Sequence, residues 1–418
     1  MRFPVPQHTV SRRQLLSGTL GALGVSACGQ PLLAEELTQR RKKLLLLFQS
    51  GGASQYETWD PKPGTHTGGP FQSIPTSVPG VHISELLPHS AEILDQLTVI
   101  RSINSGINDH FFGHYAIQAG HNLPGHPVLG SVVAQQLEQS QDILPGYISL
   151  RRDGPKAYTD VGDAGFLGAK YEGLRVINAE PPEYLVRPES VSALLMQSRD
   201  QIRRRNDERF LQGRRPGPIH AYRDTFDKAF ALMTQRDLFN LEQESARDRE
   251  RYGEHDFGRH CLLARRLLEG GVSCVKVTHH DWDAHQENFH WHEVRCGEFD
   301  RTFATLVRDF SERGLLEDTL IVAIGEMGRT PRINQQGGRD HWGKAWSMAM
   351  AGCGIRPCIH GSTNEDGTEV ADGEVNHGDL FHTFLTALGI DANENYQLSG
   401  QTSPIGDPAC TAIAEVLA

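Results

Sequence analysis

The feature that most restricts how this chain can fold is a series of short, predominantly apolar runs. Leu44–Phe48 is five apolar residues in a row, and Leu97–Ile100, Gly146–Leu150, Val272–Val277 and Thr319–Ile324 are comparable stretches. A strand that is apolar on both sides has no face left for water, so it belongs inside a sheet covered on both faces. Between these runs the periodicity changes. Leu262, Leu263, Leu267 and Leu268 recur at helical spacing, and Gly270-Gly271 ends the pattern. Phe299, Phe303, Leu306 and Phe310 form an i, i+4, i+7, i+11 stripe. Val128–Leu137 reads as a helix, and so does the Leu380–Leu388 segment before Gly389. The alternation predicts an α/β fold with a mainly parallel sheet and helices on both faces. A single domain over residues 40–418 accommodates it. Residues 189–253 are rich in charge and helix formers. They are expected as a helical excursion, with Arg203-Arg204-Arg205 and Arg214-Arg215 on solvated faces.

The first residues read as an address. Ser11-Arg12-Arg13-Gln14-Leu15-Leu16 resembles the twin-arginine export signal, an apolar stretch follows to Ala27, and no acid appears before Glu35. This layout predicts a signal peptide over residues 1–34 and a periplasmic or cell-envelope location. Val25-Ser26-Ala27-Cys28 resembles a lipobox, which would make Cys28 a lipidated first residue. Ordinary cleavage near Ala34 is the alternative. The stretch is short for a spanning helix, so any membrane contact is expected through an anchor at Cys28 alone. Residues 1–27 hold three arginines and no acid. Their removal leaves 38 basic against 52 acidic residues and moves the formal charge from −11 to −14. That balance argues against a nucleic-acid partner. Six cysteines follow Cys28 with no CxxC pair, so a zinc–thiolate site is not expected. Disulfides and buried free thiols both fit.

In open α/β sheets, ligands sit beyond the carboxyl ends of the strands. After Val272–Val277 comes His279-His280-Asp281-Trp282-Asp283-Ala284-His285. After Thr319–Ile324 come Gly325-Glu326-Met327-Gly328-Arg329 and then Gly338-Arg339-Asp340-His341-Trp342, and His377 precedes the last helix. Carboxylates and imidazoles from three strand ends can converge on one cation, and mixed oxygen and nitrogen donors suit Zn, Mn or Fe better than Ca or Mg. Asp283, His285, Glu326, Asp340, His341 and His377 are the candidate ligands, with Asp281 a rival to Asp283. Structural roles fit the same residues: a turn cap for Asp283, an ion pair with Arg329 for Glu326, an orienting partner for an imidazole at Asp340, a helix cap for His377. Gly51-Gly52, between Ser50 and Ser54, offers either backbone N–H groups to an anion or a tight turn. Asn108-Asp109-His110, His114 and His121 form a histidine-rich stretch. Neither a GxSxG elbow nor a GxxxxGK[ST] loop occurs, so a serine-hydrolase triad and a P-loop ATPase fit poorly.

These residues carry a resemblance. Gly-Gly-Ala-Ser-Gln (51–55), Trp-Asp-Pro-Lys-Pro-Gly (59–64), Gly-Phe-Leu-Gly (165–168), Trp-Asp-Ala-His (282–285), Gly-Glu-Met-Gly-Arg-Thr-Pro (325–331) and Gly-Arg-Asp-His-Trp (338–342) resemble the exported, uncharacterised family known as domain of unknown function 1501. That family in turn resembles the alkaline phosphatase and sulfatase superfamily, which implies an alkaline-phosphatase-like core with a helical insertion and metal-assisted transfer of phosphoryl or sulfuryl groups. Asp318–Glu326 is similar to the superfamily strand that ends in a metal-binding Asp-His. Glu326 would take the acid's place and Met327 stands where the His is expected, with His341 as a substitute. Asp283 and His285 resemble upstream ligands, and His377 with its helix resembles the final superfamily His. Two features depart from the pattern: Gln49 and Ser50 replace the first-strand Asp, and there is no sulfatase-type Cys-x-Pro-x-Arg.

The resemblance and the residues together predict an exported metal-dependent hydrolase of phosphate or sulfate esters, on small molecules or polysaccharides, with Zn or Mn as the cation. Asp109, His110 and Arg329 are the expected catalytic residues. Ser54, His114 and Arg339 are expected to contact substrate, with the two arginines clamping anionic oxygens. The alternative is a non-catalytic envelope binding or scaffold protein that retains the fold.

Overall fold

Leu44–Phe48 lies in strand β1 (Lys43–Gln49), in the interior of an eight-stranded sheet. A computed structural model describes residues 41–418 apart from 123, 140–141, 155–163, 183–184, 186–189, 212–225, 228–229, 231, 234 and 399–400. The expected signal segment, Cys28, Arg214 and Arg215 lie outside the described residues. The other strands of this sheet and of the hairpin beside it are β2 (Thr98–Ile103), β3 (Tyr147–Arg151), β4 (Leu174–Ile177), β5 (Cys274–His279), β6 (Thr319–Ile324), β7 (Gly328–Ile333), β8 (Arg339–Trp342), β9 (Trp346–Ala351) and β10 (Cys358–His360). The sheet order is β10-β2-β9-β6-β1-β5-β3-β4, while β7 and β8 form a separate antiparallel hairpin. β1 pairs in parallel with β5 and β6, so Leu44 stands between Cys274 and Leu320. β9 runs antiparallel to both β2 and β6.

The helices that build or flank the layers are α1 (His110–Ala119), α2 (Leu129–Gln136), α3 (Ala193–Leu211), α4 (Ala246–Tyr252), α5 (Asp256–Glu269), α6 (Asn288–Glu312) and α7 (His377–Ala387). Alternation along β1 decides which core each leucine enters. Leu44, Leu46 and Phe48 pack with α1, α2 and α7, while Leu45 and Leu47 pack with α5 and α6. This two-sided burial is why the run has no polar face. Each such side chain contributes about 1.5–3 kcal/mol relative to exposure.

Every strand expected from an apolar run is present. Strands β4, β9 and β10 and the β7–β8 hairpin were not expected. Trp346–Ala351 lacks β-branched residues, and the hairpin is polar, with Pro331 inside it. The described part of the 189–253 excursion contains α3, two short 3-10 turns and α4. Arg203 is paired there with Asp200, Asp207 and Asp227. Among the described residues no cysteine is joined in a disulfide, and Cys261, Cys274, Cys296 and Cys353 are buried. Among the described residues no helix is long and apolar enough to cross a membrane.

Candidate metal centre

Strand ends and close backbone contacts build the site. Beyond β5 the chain turns through Asp281, whose φ is +69°, and presents Asp283 and then His285. Gly51, just beyond β1, packs so tightly on this loop that a Cβ would fall on the backbone nitrogen of Asp283, and its φ of +109° disfavours any other residue. His341 comes from β8. His110 is the first residue of α1, whose N-cap Asp109 accepts a hydrogen bond from the Phe112 N–H.

Four side chains converge: one ligand atom each from His110, Asp283, His285 and His341 lie within 4.8 Å of one another. Asp283 is at the centre. Its Oδ2 is 3.2 Å from His110 Nε2, and its Oδ1 is 3.1 Å from His285 Nε2 and 3.3 Å from His341 Nε2. The outer nitrogens are tied to acceptors. His110 Nδ1 lies 2.8 Å from Glu326 Oε1, His285 Nδ1 lies 2.7 Å from Asp340 Oδ1, and His341 Nδ1 lies 2.9 Å from the Asn108 carbonyl. A carboxylate or carbonyl oxygen only accepts, so each Nδ1 carries the proton. In the neutral ring, each Nε2 then aims a lone pair into the cluster. His285 Nε2 and His341 Nε2 face each other at 3.0 Å. Two lone pairs at that distance repel unless a proton or a cation lies between them.

This donor set, three imidazole nitrogens and a carboxylate with every outer nitrogen oriented by an acceptor, fits a transition-metal cation such as Zn or Mn. Burial would lower the His110 pKa, but the hydrogen bonds to Asp283 and Glu326 outweigh it and push it up to about 9. Burial would raise the Asp283 carboxyl. Hydrogen bonds from His110 and His341, with the Arg329 guanidinium, hold it well below the usual carboxylate range instead.

The structure redistributes the expected roles. His110, expected in the chemistry, joins the ligand group. Glu326 does not: it is almost fully buried behind His110, and its Oε1 accepts the Gly51 N–H at 2.8 Å. The glycine turn therefore serves a carboxylate of the protein itself rather than a bound anion. Asp340 Oδ1 accepts from His285 Nδ1 and is not among the four clustered residues. His377 is buried at the start of α7, whose Asn376–Asp379 capping box satisfies the helix end, and it is absent from the cluster. Asp281 pairs with Arg152 at 2.8 Å.

Both arginines are turned into the fold. Arg329 is fully buried and gives its guanidinium to the carbonyls of Gly51, Gly52 and Arg339 and, at 2.6 Å, to Asp283 Oδ1. Arg339 is also fully buried. It donates to Glu57 Oε1 at 2.9 Å and to the carbonyls of Thr67, Thr330 and Pro331. Ser54 is buried, with its N–H donated to His292 Nε2. His114 is buried against Phe48 and Gln118, and burial pulls its pKa well down. The sequence reading missed Asn108 as the orienting group for His341, and it missed Glu57. The only signal for Glu57 was an acid set between Tyr56 and Trp59.

The profile of a family described as "Protein of unknown function (DUF1501)" matches residues 41–417. The chain belongs to this family. No curated protein matches it in sequence. Similar solved structures include a protein in the alkaline phosphatase superfamily from Vibrio parahaemolyticus, at 14% identity over 85% of this chain and 68% of that one, with a TM-score of 0.38. A sulfatase from Pseudoalteromonas sp. shares 13% identity over 86% and 70%, with a TM-score of 0.40. A phosphonate monoester hydrolase of Agrobacterium radiobacter shares 12% over 90% and 77%, with a TM-score of 0.35. In this DUF1501 chain Met327, which stands where a histidine was expected after Glu326, is fully buried. The imidazole beside Glu326 comes from α1 instead, as His110.

Proposed function

We propose that the protein is an exported metal-dependent hydrolase of phosphate or sulfate esters, with its cation held by His110, Asp283, His285 and His341. One observation carries the reading: three imidazoles have Nδ1 fixed by an acceptor and Nε2 turned onto one carboxylate. A divalent cation bound there would supply Lewis acidity to an ester oxygen or acidify a water. The side chains of His285 and Asp283 are 44% and 38% exposed, so substrate approaches from their side while His110 and Glu326 back the site. Arg329 pins Asp283, and Asp340 keeps the His285 ring in place. Ser54 is buried, Asp109 caps α1 and His110 lies in the cluster, which favours water over these three as the nucleophile.

Metal analysis of the natively purified protein tests this, followed by turnover of aryl phosphate and sulfate esters with added Zn or Mn. The expected result is a bound divalent cation, loss of metal uptake in His285→Ala, and hydrolysis of one ester class. Absence of metal together with unchanged uptake in His285→Ala would overturn the site. A second reading, an envelope binding or scaffold protein, is favoured by the engagement of Arg329 and Arg339 inside the fold, which leaves neither to hold an anion. Bound metal without turnover of any ester would select it.

A further inference from the structure

Helix α3 (Ala193–Leu211) turns an unusual face to solvent. Leu194, Leu195 and Ile202 are 76%, 42% and 59% exposed, and Leu194 is the most exposed large apolar side chain among the described residues. At about 100° per residue these three share an arc of about 140° on the helix with Arg199, Arg205 and Arg209. Ser198 and Asn206 complete the arc, and all eight residues are exposed. The stripe runs about 22 Å along the helix at about 1.5 Å per residue. It contains no acid. The acids of α3, Asp200, Asp207 and Glu208, fall outside the arc. Asp200 and Asp207 pair with Arg203 there, and Asp227 meets both Arg203 and Arg204. Ion pairing is thus confined to one side of the helix. In a chain of formal charge −11, the other side carries three arginines and no counter-charge of its own.

We propose that this face of α3 docks the protein on a lipid surface with anionic headgroups. Charge and composition select that occupant. Arginine and aliphatic side chains are interleaved on the face, so no continuous apolar patch exists to form the core of a protein interface. Pairing with α3 of a second copy is disfavoured as well. Leu195 and Ile202 keep heptad spacing, but Arg209 stands at the next step, and Ser198 and Arg205 occupy the other seam position. A symmetric pair would set arginine against arginine. A bilayer interface accommodates the mixture. Leu194, Leu195 and Ile202 enter the boundary between headgroups and acyl chains. Each arginine lays its stem along them and carries its guanidinium back to the lipid phosphates. An acid within the stripe would be repelled by those phosphates, and none is present. The contact is reversible and salt-sensitive, unlike the acyl anchor expected at Cys28, and it does not depend on the metal centre.

Vesicle flotation of the full chain carrying Cys28→Ala, which removes any acylation, tests the proposal. Binding to phosphatidylglycerol vesicles is expected at low salt, weakening as salt rises and stronger than binding to phosphatidylcholine vesicles. Arg199→Gln, Arg205→Gln and Arg209→Gln together should weaken it about a hundredfold, at about fivefold for each arginine. Leu195→Gln with Ile202→Gln should weaken it about tenfold, through the lost apolar burial. All five positions are exposed, and glutamine keeps helix propensity, so the variants should fold, which circular dichroism checks. No binding, equal binding to both kinds of vesicle, or an affinity that neither set of substitutions changes would overturn the proposal. So would a dimer in sedimentation velocity that both sets of substitutions dissociate, which would assign the face to a second copy of the chain.

Discussion

Arg339 shows how far a single residue can mislead. Its motif, Gly-Arg-Asp-His-Trp, does belong to the site, since His341 joins the cluster and Asp340 orients His285. Yet Arg339 turns inward onto Glu57, and both side chains are fully buried. The register of the β7–β8 hairpin is irregular between Arg339 and His341, which breaks the simple alternation of faces along a strand. Its partner is far away in sequence, so nothing local signals the pair. Removing one member of a buried ion pair strands the other charge. Arg339→Ala should therefore cost about 3–5 kcal/mol of stability in urea unfolding. A substrate clamp would behave differently, with KM raised and stability unchanged. Asp340 is the opposite case, half exposed and in contact with a ligand from outside. Asp340→Asn should lower metal affinity by about 10–100-fold in a competition titration, because outer partners fix ring orientation and basicity. An unchanged affinity would show that His285 needs no orienting charge.

The helix α1 is the element that decides whether Asp109 is a nucleophile or a cap. Asp109 has extended backbone and accepts the Phe112 N–H at 3.0 Å, the N-cap arrangement that starts α1 with His110 as its first residue. Serine caps as well as aspartate. Asp109→Ser should retain stability and metal binding, whereas Asp109→Ala should lose about 1 kcal/mol in thermal or urea unfolding. Loss of all ester turnover in Asp109→Ser, with metal still bound, would restore the nucleophile. At this scale the sequence was informative where burial was two-sided. β1 and β6 are apolar almost without interruption because helices cover both faces, whereas β5 alternates Val275 and Val277 with Lys276 and Thr278, which are buried as well. The β7–β8 hairpin was not legible, because its residues are chosen for what they touch. Gly338 lies so close to the His285 carbonyl that a Cβ would overlap it, and that constraint appears only in three dimensions.

At the scale of the whole molecule, one buried carboxylate joins three helices on the α5–α6 face of the sheet. Asp309 of α6 accepts from Tyr252 of α4 at 2.8 Å, from Arg265 of α5 at 2.9 Å and from Arg313 at 2.9 Å, with Arg251 of α4 also bound. Periodicity placed the apolar stripe of α6 correctly but could not show that an acid on the same helix would be buried under three arginines. Burial by itself would raise the Asp309 carboxyl. Hydrogen bonds from Arg313, Tyr252 and Arg251, with the charge of Arg265, bring it down to about 2 from an ordinary 3.8. A carboxyl depressed on folding binds fewer protons in the folded state, so its contribution is complete above the unfolded value. It is lost as pH falls through the folded value. The shift corresponds to about 2 kcal/mol, present above about pH 4 and gone near about pH 2. Urea unfolding of the native protein and of Asp309→Asn across that window checks it, because groups common to both cancel in the difference. The stability gap between the two should narrow by about 2 kcal/mol as the pH falls. A gap that stays constant would mean that the helices are held by their apolar contacts and that the Asp309 charge contributes nothing.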